Sequence, residues 1–123
     1  MREEQSIVQE FMAARPSMLA NNRQIKSIND LLTSEIDELL LEINAGDTEK
    51  IAQELPDVVW FCLTLANIYG IDLEAAFYAK AIRNEIKYPA EMFSEDSDYL
   101  IAHALCRQNW DKANDDNFKI DTI

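Results

Sequence analysis

The chain has 123 residues, 48% of them apolar, which is enough for one core and excludes wholesale disorder. Acids number 23 against 11 Lys and Arg, a formal charge of −12 that argues against nucleic acid and against an anionic membrane, since both need a basic surface. With 2 glycines and 3 prolines, the turns of a barrel or sandwich cannot be built, and the expected class is all-α, four to five helices in a single domain over residues 1–123.

A first helix is expected over residues 4–14, stopped by Arg15-Pro16, because a proline disfavours helical backbone in the residue before it. A second covers residues 26–44 and ends at Gly46. Asp47 caps a third that runs to Tyr69, with Gly70 closing it. Pro56 lies inside that helix, lacks a backbone donor, and either kinks the helix or marks its effective start. The fourth takes Asp72 as its N-cap and reaches Lys87, with Pro89 as its stop. A polar, acidic loop is expected over residues 90–96, then a fifth helix over 97–114 and a loose tail. Strand signals are missing: there is no sustained alternation and no Asn-Gly or Asp-Gly hairpin.

The acidic N-terminus precedes no long apolar run, and no stretch reaches the ~20 apolar residues of a membrane span. A cytoplasmic protein is therefore expected, without leader or anchor. Cys62 and Cys106 sit in apolar helical surroundings and read as core thiols. Trp60 and Trp110 read as packing or interface aromatics. His103 has no acid at Glu-x-x-His spacing, which argues against a ferritin-like di-iron site. The acid-rich residues 111–121 lack the glycine and spaced ligands of a calcium loop and read as a solvated tail.

Spacing alone says little about so many acids; the useful question is which of them share a face with the core. At about 100° per residue, Ile25, Ile28, Leu31, Leu32, Leu39 and Ile43 form the apolar stripe of the second helix. Glu35 falls inside it, Glu38 sits at its edge, Glu42 lies one turn on, and Asp37 points away. In the third helix Ile51, Leu55, Val58, Phe61, Cys62 and Leu65 form the stripe, with Glu54 inside it and Asp57 on its flank. The short turn at Gly46 makes the two helices antiparallel neighbours, so Glu35, Glu38, Glu54 and Asp57 would converge at one level. Converging anions must protonate or bind a cation, and carboxylate oxygens suit the hard ions Mg²⁺ and Mn²⁺. The alternative is a solvated acidic flank.

The fourth helix carries Lys80, Arg83, Asn84 and Lys87, followed by Tyr88-Pro89. Lys80, Asn84 and Lys87 share one face and could serve as phosphate donors opposite a metal. The alternative is a helix end decorated with cations that suit its dipole.

Glu35-x-x-Glu38, a short gap, then Glu54-x-x-Asp57 resembles the signature of the MazG-like all-α nucleoside triphosphate pyrophosphohydrolases. Lys80-x-x-x-Asn84-x-x-Lys87-Tyr88-Pro89 is similar to that family's downstream motif, where Arg is commoner than Lys before Tyr-Pro. Residues 69–76 resemble the family's link between its third and fourth helices. The resemblance covers about residues 5–90 and leaves a C-terminal helix and tail over about 91–123 unmatched. It implies an oligomeric bundle, usually a dimer or tetramer, that cleaves an NTP or dNTP to monophosphate and pyrophosphate in nucleotide house-cleaning. It implies Mg²⁺ on Glu35, Glu38, Glu54 and Asp57, and nucleotide contacts from Lys80 and Asn84, helped by Arg83, Lys87 or Tyr88. Glu35 or Glu38 would take the proton of the attacking water, with Glu42 in support. Two departures stand out. Ser34 occupies a position where members often carry Glu, and Arg15-Pro16-Ser17 lacks the aromatic residue that related dCTP and dUTP enzymes set against the base. A non-catalytic nucleotide or metal binder, or a helical interaction protein on the same scaffold, is the competing reading.

Overall fold

A computed structural model describes residues 1–114, which hold helices and no strand. The helices are α1 (Arg2–Ala13), α2 (Pro16–Asn22), α3 (Ile25–Ala45), α4 (Thr48–Ile68), α5 (Leu73–Lys87) and α6 (Tyr99–Ala113), with a 3-10 turn at Ala90–Met92 before α6. The all-α expectation holds; the expected tail beyond residue 114 lies outside the described residues. The chain divides into two compact units, Met1–Glu74 and the residues from Ala75 onward.

Helix α2 has no counterpart among the expected helices. Pro16 stops α1 as expected but also starts α2. Proline suits the first helical position, where its missing N–H has no intrahelical partner, and Arg15 takes the extended φ of −133° that proline favours in the residue before it.

In the first unit α3 and α4 form the most extensive helix pair. Gly46 makes their short connection possible by adopting a left-handed φ of +69°, which costs other residues a steric clash. The Asp47 N–H then bonds the Glu42 carbonyl at 3.3 Å and the Gly46 N–H bonds that of Ile43 at 3.1 Å, satisfying the end of α3. Asp47 caps α4 as expected, its carboxylate accepting from the Lys50 N–H at 3.2 Å. Two turns of α4 precede Pro56, so that proline does not start the helix.

The core lies where α1 meets α4. Val8, Met12 and Leu63 are buried there, with Phe11, Leu19, Trp60 and Leu73 packed around them. Trp60 meets Phe11 edge-on at 5.0 Å, the packing role expected of it. The buried arc of α4 is Leu63, Thr64 and Ala66. Cys62 falls at its edge and is exposed, which overturns its reading as a core thiol. Ile25, Ile43 and Leu55, expected in the apolar stripes, are also exposed.

Gln5 brackets the end of this unit. Its side chain donates to Asn67 Oδ1 at 3.1 Å and to the Ile71 carbonyl at 2.8 Å, and accepts from the Leu73 N–H at 2.8 Å. Asn67 donates back to the Gln5 carbonyl at 3.0 Å. Beside it, Arg2 pairs with Asp72 and Glu74 at 2.9 and 3.0 Å. The first turn of α5 is thus tied to α1.

In the second unit Asp98 caps α6 by accepting from the Ile101 N–H at 3.1 Å. Ala102 and Cys106 are buried, so Cys106 keeps the core-thiol reading, with its sulfur 3.6 Å from Met92 Sδ. Both cysteines are free. Among the described residues no single helix is long and apolar enough to cross a membrane.

Candidate functional site

The hairpin brings three of the four expected carboxylates together. Each of Glu35, Glu38 and Glu54 places an oxygen so that the three atoms lie within 4.8 Å of one another. The register comes from the turn: Glu38 lies eight residues before Gly46 and Glu54 eight after it, so antiparallel helices set them side by side. Glu35 is one turn from Glu38 on the same face. Asp57 is exposed and falls outside the 4.8 Å set, yet its charge acts on both Glu35 and Glu54. Glu42 is half-buried and its charge also acts on Glu54.

The electrostatics are those of crowded negative charges. One oxygen each of Glu35 and Glu54 is buried without a hydrogen-bond partner. Burial raises the pKa of both carboxyls, the negative charges of Glu38 and then Asp57 raise it further, and a hydrogen bond to Glu38 does the same. Glu35 and Glu54 therefore bind protons more tightly than ordinary glutamates do, and a divalent cation there would compete with those protons. All the ligand atoms are hard oxygens, the set that suits Mg²⁺ and Mn²⁺ rather than zinc or copper.

The expected basic residues belong to the second unit. Lys80 and Asn84 are exposed on α5. Arg83 and Lys87 lie against α6, with their charged ends 5.6 and 5.9 Å from the Trp110 ring. Trp110 therefore serves as a cation platform as well as a packing residue. The Tyr88 ring stacks on His103 at 5.1 Å.

The sequence model of the MazG nucleotide pyrophosphohydrolase domain matches residues 23–87, over half of the chain. The chain belongs to the MazG family. No curated protein and no solved structure matches it significantly. The matched MazG stretch takes in all four acids and Lys80, Arg83, Asn84 and Lys87, while Tyr88 comes directly after it and α1, α2 and α6 lie outside. Two features of this MazG chain have no counterpart in the expectations. The Gln5 bracket joins residues more than 60 positions apart, and no local pattern marks it. The rings of Phe93, Tyr99 and His103 gather around Tyr88 in a segment expected to be only a polar loop and a helix start.

Proposed function

We propose that the protein is a divalent-cation-dependent nucleoside triphosphate pyrophosphohydrolase, converting an NTP or dNTP to monophosphate and pyrophosphate in cytoplasmic nucleotide house-cleaning. One observation carries this reading: in a chain of the MazG family, three carboxylates converge within 4.8 Å and two of them hold buried, unpartnered oxygens. Glu35, Glu38 and Glu54 would hold Mg²⁺ or Mn²⁺, with Asp57 joining from the flank. When bound, the ion supplies positive charge for the triphosphate and makes a water more acidic.

The chain's own residues do the rest. Glu35, whose proton affinity is raised, or Glu38 accepts the proton of the attacking water. Lys80 opposes charge building on the departing pyrophosphate, and Asn84, one helical turn on, holds a phosphate or sugar oxygen. Arg83, Lys87 and Tyr88 play smaller parts, because each is already held against a ring of α6. The acidic exterior is no obstacle, since an ion at the trio reverses the local sign and the substrate travels as its own magnesium complex.

The same reading includes a homodimer or homotetramer. Ile36, Leu40 and Ile43 form an exposed apolar stripe on α3, and Leu55, Val59 and Cys62 form another on α4. Each lies about 100° around its helix from Glu35 or Glu54 and farther from Glu38 and Asp57, so a second copy covering these stripes would approach the site from the side of Glu35 and Glu54.

The test is a chromatographic product assay with Mg²⁺ and a panel of NTPs and dNTPs, run beside Glu54→Gln. Monophosphate and pyrophosphate in equal amounts, lost in the variant, are expected. A folded protein that turns over none of the panel refutes the reading, and full turnover in Glu54→Gln removes that residue from the machinery.

A further inference from the structure

In the second unit the chain after α5 gathers four rings. Tyr88 and His103 stack with planes 14° apart, Phe93 stands edge-on to Tyr88 at 6.0 Å, and Tyr99 leans on Phe93 at 6.1 Å and on His103 at 5.5 Å. These four side chains together line an open cleft of about 260 Å³. A ring cluster that served only as core would be closed, yet Tyr99 at the first position of α6 keeps 62% of its surface exposed.

We propose that this cleft is a stacking site for a nucleobase. The proposal rests on the function proposed above only for its ligand class, a nucleotide, and is argued from the second unit alone. The cleft is smaller than the roughly 300–1,000 Å³ of sites for drug-sized ligands, so it suits one ring system and not a whole nucleotide. Every base has a π-face that aromatic side chains stack against, and the Tyr88 hydroxyl and the imidazole offer polar atoms for a base edge. A ring-lined box also suits a quaternary ammonium. Here Lys87 Nζ already lies 5.4 Å from the Tyr88 ring centre, where it repels a second cation and favours a ligand that carries phosphate.

The protein has one histidine, so His103 reports on the cleft without ambiguity. Adenosine, guanosine, cytidine and thymidine are titrated into the full chain while the His103 ring-proton resonances are followed by NMR. At least one nucleoside is expected to move them saturably through its ring current. Tyr99→Phe is expected to bind like the parent. Tyr99→Leu is expected to bind about 5- to 140-fold more weakly, the range given by the ~1–3 kcal/mol of one base stack at 1.4 kcal/mol per tenfold. No movement with any of the four overturns the proposal. So does equal binding by Tyr99→Leu, or saturation by tetramethylammonium alone. Nucleosides carry no phosphate and the readout needs no turnover, so this result stands apart from the hydrolysis assay.

Discussion

Gln5→Ala tests how the first unit holds the start of α5. The substitution removes three side-chain hydrogen bonds, to Asn67, to the Ile71 carbonyl and from the Leu73 N–H, at 2.8 to 3.1 Å. Each net bond contributes about 0.5–1.5 kcal/mol, so three set a ceiling near 4.5 kcal/mol. Only part of the bracket is shielded, since the bond to Ile71 is exposed and the other two are partly buried, and water will replace some of what is lost. A loss of about 1.5–3 kcal/mol is therefore expected. Alanine still leaves the Asn67 amide on the Gln5 carbonyl at 3.0 Å, because that bond is to backbone, so α1 stays docked. Urea unfolding of metal-free protein measures the loss. Gln5→Glu is the informative partner: it keeps an acceptor for the Leu73 N–H but sets a carboxylate against two acceptor oxygens, so it is expected to be no better than alanine. A loss below about 0.5 kcal/mol in Gln5→Ala, or parental stability in Gln5→Glu, refutes the argument. Arg2→Ala, which breaks only exposed and salt-screened pairs, is expected to cost less and to lose its effect at high salt.

The acidic trio carries its own pH dependence. Glu35 and Glu54 have folded-state pKa values raised above the ordinary 4.5, so between that value and the raised ones the folded chain binds more protons than the unfolded one. Metal-free stability then falls as pH rises through that window; melts at stepped pH should show Tm dropping, and a Glu35→Gln/Glu54→Gln double variant should lack the drop. Mg²⁺ or Mn²⁺ should raise the Tm of the parent at pH 7 by ligand linkage and do so far less for Glu54→Gln; an equal rise in both removes Glu54 from the ion site. Metal-free Glu54→Gln should be at least as stable as the parent, because it removes one of three crowded charges. Leu63→Ala, at a side chain 4% exposed in the α1–α4 core, should cost about 2–4 kcal/mol in urea unfolding, and a cost under 1 kcal/mol would mean that the core is packed elsewhere.

What was legible in the sequence was what obeys a local rule. Gly46 and Asp47 announce a helix end and a helix start in adjacent positions, and counting outward from them yields the antiparallel register of Glu38 and Glu54. Helix α2 was not legible, because Pro16 satisfies both a stopping rule for α1 and a starting rule for another helix, and seven residues are too few for periodicity to decide. Burial was only partly legible. The helical period puts Leu55 and Cys62 on an apolar stripe, but which arc of α4 is buried depends on how its neighbours dock: Leu63 packs against Val8 and Met12 of α1, and the buried arc is Leu63, Thr64 and Ala66. The Gln5 bracket and the ring cleft were illegible for a common reason. Both join side chains across loops, where no period links the partners.

The trio also shows why the candidate site stands out against the rest of the chain. Elsewhere local preference and packing agree: caps sit at helix starts, left-handed glycines at two helix ends, and apolar residues at the α1–α4 contact. At Glu35 and Glu54 they disagree, since a charge occupies a position where the amphipathic stripe calls for an apolar side chain and the buried oxygen has no partner. Folding alone gives no reason to keep such residues, because an apolar or amide side chain there would raise stability in the metal-free state. The cost is relieved when a proton or a cation binds between the helices. A site that weakens the free protein and is relieved by a cation must therefore show opposite responses to one substitution: Glu54→Gln raises the stability of the metal-free protein and lowers its affinity for the ion. A substitution that lowered both would mean that Glu54 holds the hairpin together, and the acids would then be structural.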